Sequence, residues 1–235
     1  MPVLTTDLKS LDSKLDKVER RFNKKLESYY NQIENSVLRQ TSGYKKNKDF
    51  IIPTSKVQGL EGLFRQHFKD VQSIADGHTR RELLNRAKTQ EERDKISLLS
   101  ANKLSKSNLN YAQKLAKKQV QDFEDKIKNK LNDAIKLDPS IKLSEMKKLI
   151  SDEALGFKNV RIGATSSTES NRITNETRDN FFNQMGIKKL RFTAILDNRT
   201  SNFCRSHNNR VFSIDDKPDL PAHINCRSYY LPAEN

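Results

Sequence analysis

Apolar residues recur at spacings of three and four over most of the first 137 residues, which is the pattern of amphipathic helices. The first stretch predicts a helix from about residue 6 to about residue 40, with a narrow apolar face close to a heptad seam that begins at Leu4. Such a face must pack on a partner helix. That partner is expected either in the same chain or in a neighbouring copy, so self-association through this helix is one predicted contact. A second long run covers about 102–137 and ends before Pro139, because proline disfavours helical geometry in the preceding residue.

Glycine and polar residues predict interruptions between these helices. Residues 41–53 are predicted to be a break followed by a loop, and Gly77 and Gly156 are interpreted as helix stops. Thr79 and Thr89 are candidate caps of further short helices. The Ser/Thr/Asn-rich segment 164–180 has poor intrinsic helix propensity, so composition alone predicts that part of it is loop.

Near the C-terminus the apolar period changes from helical to that of strands. Residues 190–196, 211–214 and 228–231 predict three short strands, with a turn at Asp197-Asn198. The predicted fold is therefore mainly α, with a small C-terminal α+β module made of a helix and a short antiparallel sheet. We divide the chain into a basic helical region, residues 1–156, and this module, residues 157–235.

Both cysteines and two of the four histidines fall in the loops of the predicted sheet. Cys204 and His207 form a C-x2-H pair, and His223 and Cys226 form an H-x2-C pair. Tetrahedral zinc is usually held by four such donors, delivered as two close pairs on two loops. The pattern predicts a structural zinc site, because four protein ligands leave no open position for water, and because so small a sheet needs added stability.

Reduced thiols beside hydrogen-bonded histidines are the alternative to a metal site. A single disulfide is not expected, because the N-terminal residues show no apolar segment of a signal peptide, and disulfides seldom persist without export.

The charge of the chain predicts a polyanionic partner, with nucleic acid foremost. The sequence has 44 Lys+Arg against 30 Asp+Glu, and residues 1–160 hold 33 and 22 of these. One face of the second long helix is crowded with lysines, which are predicted to contact double-stranded DNA nonspecifically: Lys114, Lys117, Lys118, Lys126, Lys128 and Lys130. A solvated helix face is the alternative interpretation. No apolar run is long enough to cross a bilayer, so no membrane partner is expected.

The segment from RFTAILDNRT to INCRSYYLP resembles the C-terminal module of the phage Mu F-like minor head protein family. That module has a strand, Asp-x-Arg-Thr, two closely spaced cysteines, a short strand, Pro-x-His-x2-Cys-Arg and a closing strand. The matching positions are Asp197, Arg199, Thr200, Cys204, Val211, Pro221, His223, Cys226, Arg227 and Pro232. Thr168 and Glu169 resemble the start of the family's preceding helix, which implies helix for residues 160–185. His207 stands where the family has its second cysteine, and histidine is also a zinc ligand.

This resemblance covers residues 160–232 and implies a minor structural protein of a tailed-phage head. Such a protein would lie in the head interior of the virion, and in the host cytoplasm during assembly. It would bind the portal or the major capsid protein, and assist head morphogenesis and DNA packaging or delivery, without enzymatic activity.

Structural roles are expected for the polar residues of the motif. Asp197, Arg199 and Thr200 are predicted to shape the strand-end turn, and Arg227 to bind loop carbonyls or Asp197. A small metal-dependent nuclease is a rival function, but the sequence shows no separate carboxylate set for a hydrolytic metal. A zinc-knuckle nucleic-acid-binding protein is the other rival, and it would cluster basic and aromatic residues around the knuckle.

Overall fold

The computed structural model describes residues 3–47, 49–99 and 104–233, with side chains described from Leu8 onward, except that of Asn47. Its helices are α1 (Val3–Asn47), α2 (Thr54–Arg86), α3 (Gln90–Leu98), α4 (Lys106–Leu137), α5 (Leu143–Gln184) and α6 (Asn202–His207). Its strands are β1 (Lys189–Ala194), β2 (Val211–Ser213) and β3 (Ser228–Pro232). The prediction of a mainly helical fold with a small C-terminal antiparallel sheet is confirmed. None of the helices in these ranges is both long and apolar enough to cross a membrane.

Three helices continue through the positions at which breaks were predicted. α1 passes Gly43, α2 passes Gly77, and α5 passes Gly156. Glycine within a helix costs only about 1 kcal/mol relative to alanine, and burying one large apolar side chain offsets about that much or more. Thr89 does cap α3, through a capping box with Glu92, and α4 ends before Pro139 as predicted.

The chain forms two compact units, each assembled from separate stretches of sequence. We call Met1–Arg20, His67–Ser105 and Ala164–Asn235 the sheet unit, and Arg21–Gln66 and Lys106–Gly163 the helical unit. The division predicted at residue 156 lies inside α5. The compact units therefore do not follow it.

Aromatic side chains form the centre of the helical unit. The rings of Tyr30, Phe123 and Phe157 lie 5.2–5.8 Å apart in pairs, and all three are buried. Farther along α1, Tyr44 stacks on Phe50 at 4.5 Å and is fully buried. This contact explains why α1 continues beyond the predicted end near residue 40.

The sheet of the sheet unit has the order β2-β1-β3, with both pairings antiparallel. Leu190, Phe192 and Ala194 of β1 point into one apolar core with Phe181 and Phe182 of α5. Further members of this core come from α2, α3 and β3: Leu83, Ile96 and Tyr230. The sheet therefore packs on helices that precede it in the sequence.

The polar segment 164–180 is helical and largely buried, because its side chains satisfy the outer edge of β3. Alternate carbonyls of β3 face away from β1, namely those of Ser228, Tyr230 and Pro232. Each accepts a side-chain hydrogen bond: Ser228 from Asn171 and Asn175 (3.0 and 3.1 Å), Tyr230 from Arg178 (3.1 Å), and Pro232 from Arg86 (3.1 Å). This edge of the sheet is closed to further strands.

One ion pair in the sheet unit is almost completely buried. Arg178 is 0% exposed and Glu82 is 4% exposed, and Arg178 Nη2 lies 2.6 Å from Glu82 Oε2. The guanidinium also lies over the Phe182 ring, 5.3 Å from its centroid. Together with the bond to Tyr230, these contacts join α2, α5 and β3.

Candidate metal centre

Two loops of the sheet unit bring Cys204, His223 and Cys226 together. Cys204 lies in the first turn of α6, where the Ser201 hydroxyl caps the helix by accepting from the Cys204 amide at 3.2 Å. His223 and Cys226 lie just before β3. Their loop is held to α5 by the Thr168 hydroxyl, which accepts from the Asn225 amide at 3.0 Å. Thr168 therefore positions one of the two loops.

The two sulfurs lie at the separation that tetrahedral zinc requires, whereas the sulfur and the imidazole nitrogen lie about 0.5 Å closer than such an ion would set them. Cys204 Sγ is 3.9 Å from Cys226 Sγ and 3.1 Å from His223 Nε2. Two sulfurs each about 2.3 Å from a tetrahedral ion would lie about 3.8 Å apart, and a sulfur and an imidazole nitrogen about 3.6 Å apart. Both thiols are free and buried. In the part of the chain that the structure describes, this is the one such Cys/His/carboxylate group, and it could hold a metal ion.

Neutral His223 presents the lone pair of Nε2 to the sulfur of Cys204. Its Nδ1 lies 2.8 Å from the Ile224 carbonyl, which only accepts, so Nδ1 carries the proton and Nε2 is left free to ligate. Nε2 also lies 2.8 Å from Ser201 Oγ, so this serine both caps α6 and contacts the histidine. Ser201 was not among the residues predicted from the sequence, although a serine directly before a helix is a recognisable N-cap signal.

The protonation of the two thiols differs. Burial opposes ionisation of Cys204, but hydrogen bonds with Ser201, Ser228, His223 and Cys226 outweigh it and lower the pKa of its thiol. For Cys226, burial is the largest effect and raises the pKa of the thiol. Burial would also lower the pKa of His223, yet the hydrogen bonds to Ile224 and Cys204 raise it. Without a metal, Cys204 is therefore the thiol that ionises first.

His207, predicted as the fourth ligand, does not join this group. Its Nδ1 donates to the Phe203 carbonyl at 2.8 Å, and its ring stacks on Phe203 with centroids 4.0 Å apart. On the other side it faces Phe212, at 6.1 Å. Aromatic packing within α6 and β2 therefore holds the imidazole, and the predicted Cys2His2 set becomes Cys2His in this structure.

The Asp-x-Arg-Thr motif forms a self-bonded turn after β1. Thr200 Oγ1 accepts from the Asp197 amide at 2.8 Å and donates to the Ile195 carbonyl at 2.9 Å. Asp197 accepts from the Arg199 amide at 2.9 Å and forms an ion pair with Arg227. This hydrogen bond with Arg227 is the main cause that lowers the pKa of Asp197 to about 2.

Arg227 joins the turn to α1 and to the cysteine loop. Besides Asp197, it contacts Asp12 of α1 at 3.5 Å, a partner that no local sequence pattern predicts. The side chain of Arg199 is 71% exposed and adds only a long contact to Asp197, at 3.4 Å. Glu169, matched to the family's Thr-Glu helix, instead pairs with Arg172 along α5 at 2.8 Å.

The space beside the candidate metal centre is very small. The pocket lined by Ser201, Cys204, His223 and their neighbours has a volume of about 10 Å³. That volume holds about one water-sized particle. The pocket itself has room for an ion or a water.

The lysines predicted to contact DNA divide into two sets on α4. Lys118, Lys126 and Lys128 form ion pairs with Asp122, Glu153 and Glu124, at 3.0, 2.9 and 2.5 Å. The other three have exposed side chains and no ion pair among the described residues: Lys114, Lys117 and Lys130. A smaller set of free cations therefore remains than the sequence suggested.

The C-terminal part of the chain is similar to a known protein family. Residues 125–231 match the family model of the Phage Mu protein F like proteins. This confirms the resemblance read from the motifs. The Phage Mu protein F-like segment begins in α4, earlier than the sequence resemblance at residue 160, and contains all three residues of the candidate metal centre. Comparisons with curated proteins and with solved structures gave no match.

Proposed function

We propose that the chain is a minor head protein of a tailed phage, which assists head morphogenesis from the interior of the head. The observation that carries this proposal is the Phage Mu protein F-like segment, residues 125–231. The partners we propose are the portal or the major capsid protein, together with packaged double-stranded DNA. Self-association through α1 is a weaker candidate, because its apolar face from Leu8 to Val37 is buried within the chain.

We propose further that zinc is the ion held by Cys204, His223 and Cys226. Two thiolates and an imidazole favour zinc over magnesium or calcium, which prefer oxygen ligands. The ion would tie α6 to the loop before β3 and so stabilise a sheet with few strands. A water or the Ser201 hydroxyl would complete the coordination.

A metal-dependent nuclease is the second candidate function. In its favour, three protein ligands leave one position open, as in catalytic zinc sites. Against it, the group contains no carboxylate in the described part of the chain, and the pocket beside it, of about 10 Å³, forms no substrate cleft. A non-enzymatic, structural role of the metal fits both observations.

DNA contact is proposed for the three lysines of α4 that form no ion pair among the described residues. Lys114, Lys117 and Lys130 have no carboxylate partner among the described residues, so their charge is available to phosphates. Lys118, Lys126 and Lys128 would have to exchange an existing ion pair for a phosphate.

Deletion of the gene in the phage that encodes the chain tests the proposed function. We expect purified wild-type heads to contain the protein by mass spectrometry, and the deletion to reduce DNA-filled heads, with rescue by the wild-type gene. A full yield of infectious, DNA-filled heads without the protein would contradict the proposal. Cleavage of plasmid DNA by the zinc-loaded protein, lost in His223→Ala, would instead favour the nuclease.

A further inference from the structure

The central strand of the sheet has an unpaired stretch at its C-terminal end. β2 pairs only with Lys189–Arg191, followed by two backbone bonds between Phe192 and the residues just before β2. Beyond this point, the backbone groups on the β2 side are those of Ala194, the last residue of β1, and of Leu196 just after it, because the Ile195 amide bonds to the opposite side. The Ala194 amide donates to Asn208 Oδ1 at 2.9 Å.

Three backbone groups of this stretch are left without a hydrogen bond. They are the Ala194 carbonyl and the amide and carbonyl of Leu196, judged against the described residues. The other edge of the sheet is different, since side chains of α2 and α5 occupy the outward carbonyls of β3. Unlike the outer edge of β3, the end of β1 therefore offers a donor and acceptors in the spacing of a strand.

A cavity of about 320 Å³ lies along this open stretch. Its walls are mainly apolar and include Leu8 of α1 together with Ala194, Ile195 and Leu196. Among the described residues that line it, Lys9 is the one charged side chain. The volume is near the lower limit of about 300 Å³ for small-molecule pockets, and suits an aliphatic side chain better than a cofactor.

We propose that this edge cavity binds an extended peptide segment of another protein, which adds as a strand to residues 194–196. Backbone hydrogen bonds to Ala194 and Leu196 would hold the segment, as in other cases of strand addition. One aliphatic side chain of the segment would fill the space between Leu8 and Leu196. A carboxylate of the segment would face Lys9. The cavity would therefore favour a segment in which aliphatic residues alternate with others and which carries an acidic residue. The proposal does not depend on a role in the phage head.

A selection with displayed peptides tests this proposal on the full-length protein. The probe is a library of random decapeptides displayed on yeast, followed by synthesis of the most enriched peptide with a fluorescent label. We expect enriched peptides to alternate aliphatic and other residues and to carry an acidic residue. Leu196→Lys and Lys9→Glu should each weaken binding of the labelled peptide at least about tenfold, or about 1.4 kcal/mol.

Matched exposed positions serve as controls. Leu196 is 53% exposed and Leu98 is 85% exposed, so both lysine variants should fold, and Leu98→Lys should bind like the wild type. Lys14→Glu places the same charge change on the same helix as Lys9→Glu, and should also leave binding unchanged. A bound peptide should slow hydrogen exchange of the Leu196 amide, whereas the Ile195 amide is already bonded to the Arg227 carbonyl.

Three results would overturn the proposal. The first is a selection in which no peptide distinguishes the wild type from Leu196→Lys. The second is a bound peptide that leaves exchange of the Leu196 amide unchanged. The third is a wild-type protein that dimerises by itself and becomes monomeric in Leu196→Lys, because the occupant would then be a second copy of this chain.

Discussion

Replacing Arg178 with methionine should destabilise the sheet unit strongly, because it leaves a buried carboxylate without its main partner. Arg178 is 0% exposed, and its guanidinium donates to both Glu82 and the Tyr230 carbonyl. Breaking a buried ion pair costs about 3–5 kcal/mol, and an unsatisfied backbone carbonyl adds about 1 kcal/mol. Arg86, 3.6 Å from Glu82 Oε1, compensates in part. We therefore expect Arg178→Met to lose about 3–4 kcal/mol of unfolding free energy.

Urea unfolding followed by far-ultraviolet circular dichroism measures this loss, with the denaturant slope as a check that the same surface unfolds. Arg80→Met is the matched control. Its pair with Asp76 is 26% and 24% exposed at the two side chains, and Arg80 also donates to the Ile96 carbonyl at 2.8 Å, so we expect a cost of about 1–2 kcal/mol.

The double variant Arg178→Met/Glu82→Leu tests whether the loss of stability comes from the unpaired carboxylate or from the changed packing. Replacing both members of a buried pair by apolar residues is often neutral, so the double variant should recover most of the loss, apart from about 1 kcal/mol at the Tyr230 carbonyl. Equal destabilisation by Arg178→Met and Arg80→Met, or a double variant less stable than Arg178→Met, would refute the reasoning.

Three further predictions concern pH, DNA and the edge of the sheet. Burial, reinforced by neighbouring carboxylates, raises the pKa of Glu19 from 4.5 to about 7. Between these two pH values the folded state therefore keeps a proton that the unfolded state has lost. The contribution of protonated Glu19 to the free energy of unfolding is fully present below about pH 4.5, and it is lost as the pH rises through about 7. Glu19→Gln resembles the protonated acid, so its free energy of unfolding should exceed that of the wild type by up to about 3 kcal/mol as the pH rises across this range. Urea unfolding at several pH values measures this difference, and the control Glu27→Gln should not show it. If Lys114, Lys117 and Lys130 contact phosphates, the logarithm of the association constant for duplex DNA should fall with the logarithm of the salt concentration at a slope of about −2.7. Substitution of all three lysines by glutamine should abolish that slope in titrations followed by fluorescence anisotropy. Asn175→Ala removes one of two donors to the Ser228 carbonyl and should cost about 1 kcal/mol in urea unfolding, with an unchanged fold by circular dichroism.

The sequence predicted the sheet well, because short strands with turn residues leave a local signal. The predicted strands at 190–196, 211–214 and 228–231 each overlap the observed one. Helix lengths were underestimated at Gly43, Gly77 and Gly156, where tertiary packing outweighs a local propensity cost. The polar segment 164–180 was hardest to predict from composition. Its asparagines and arginine are buried only because β3, some fifty residues later, supplies carbonyls for them.

The sequence predicted the candidate metal centre only in part, again because only local patterns can be recognised in a sequence. Spacing alone identified Cys204, His223 and Cys226, because two close pairs of ligands in loops are a local pattern. Spacing could not show that His207 packs between Phe203 and Phe212, since that depends on where β2 places its aromatic side chain. The ion pair between Arg227 and Asp12 joins residues far apart in the sequence and left no pattern to read.

Elemental analysis of the purified protein and two histidine variants tests the metal centre most directly. The structure leads us to expect one zinc per chain in the wild type and in His207→Ala, and a loss of zinc in His223→Ala, whose Nε2 lies 3.1 Å from Cys204 Sγ. Titration of thiols in the native state should follow the same order, with Cys204 and Cys226 protected only where zinc is bound. A wild-type protein free of metal with both thiols reactive, or loss of zinc in His207→Ala rather than in His223→Ala, would contradict this account.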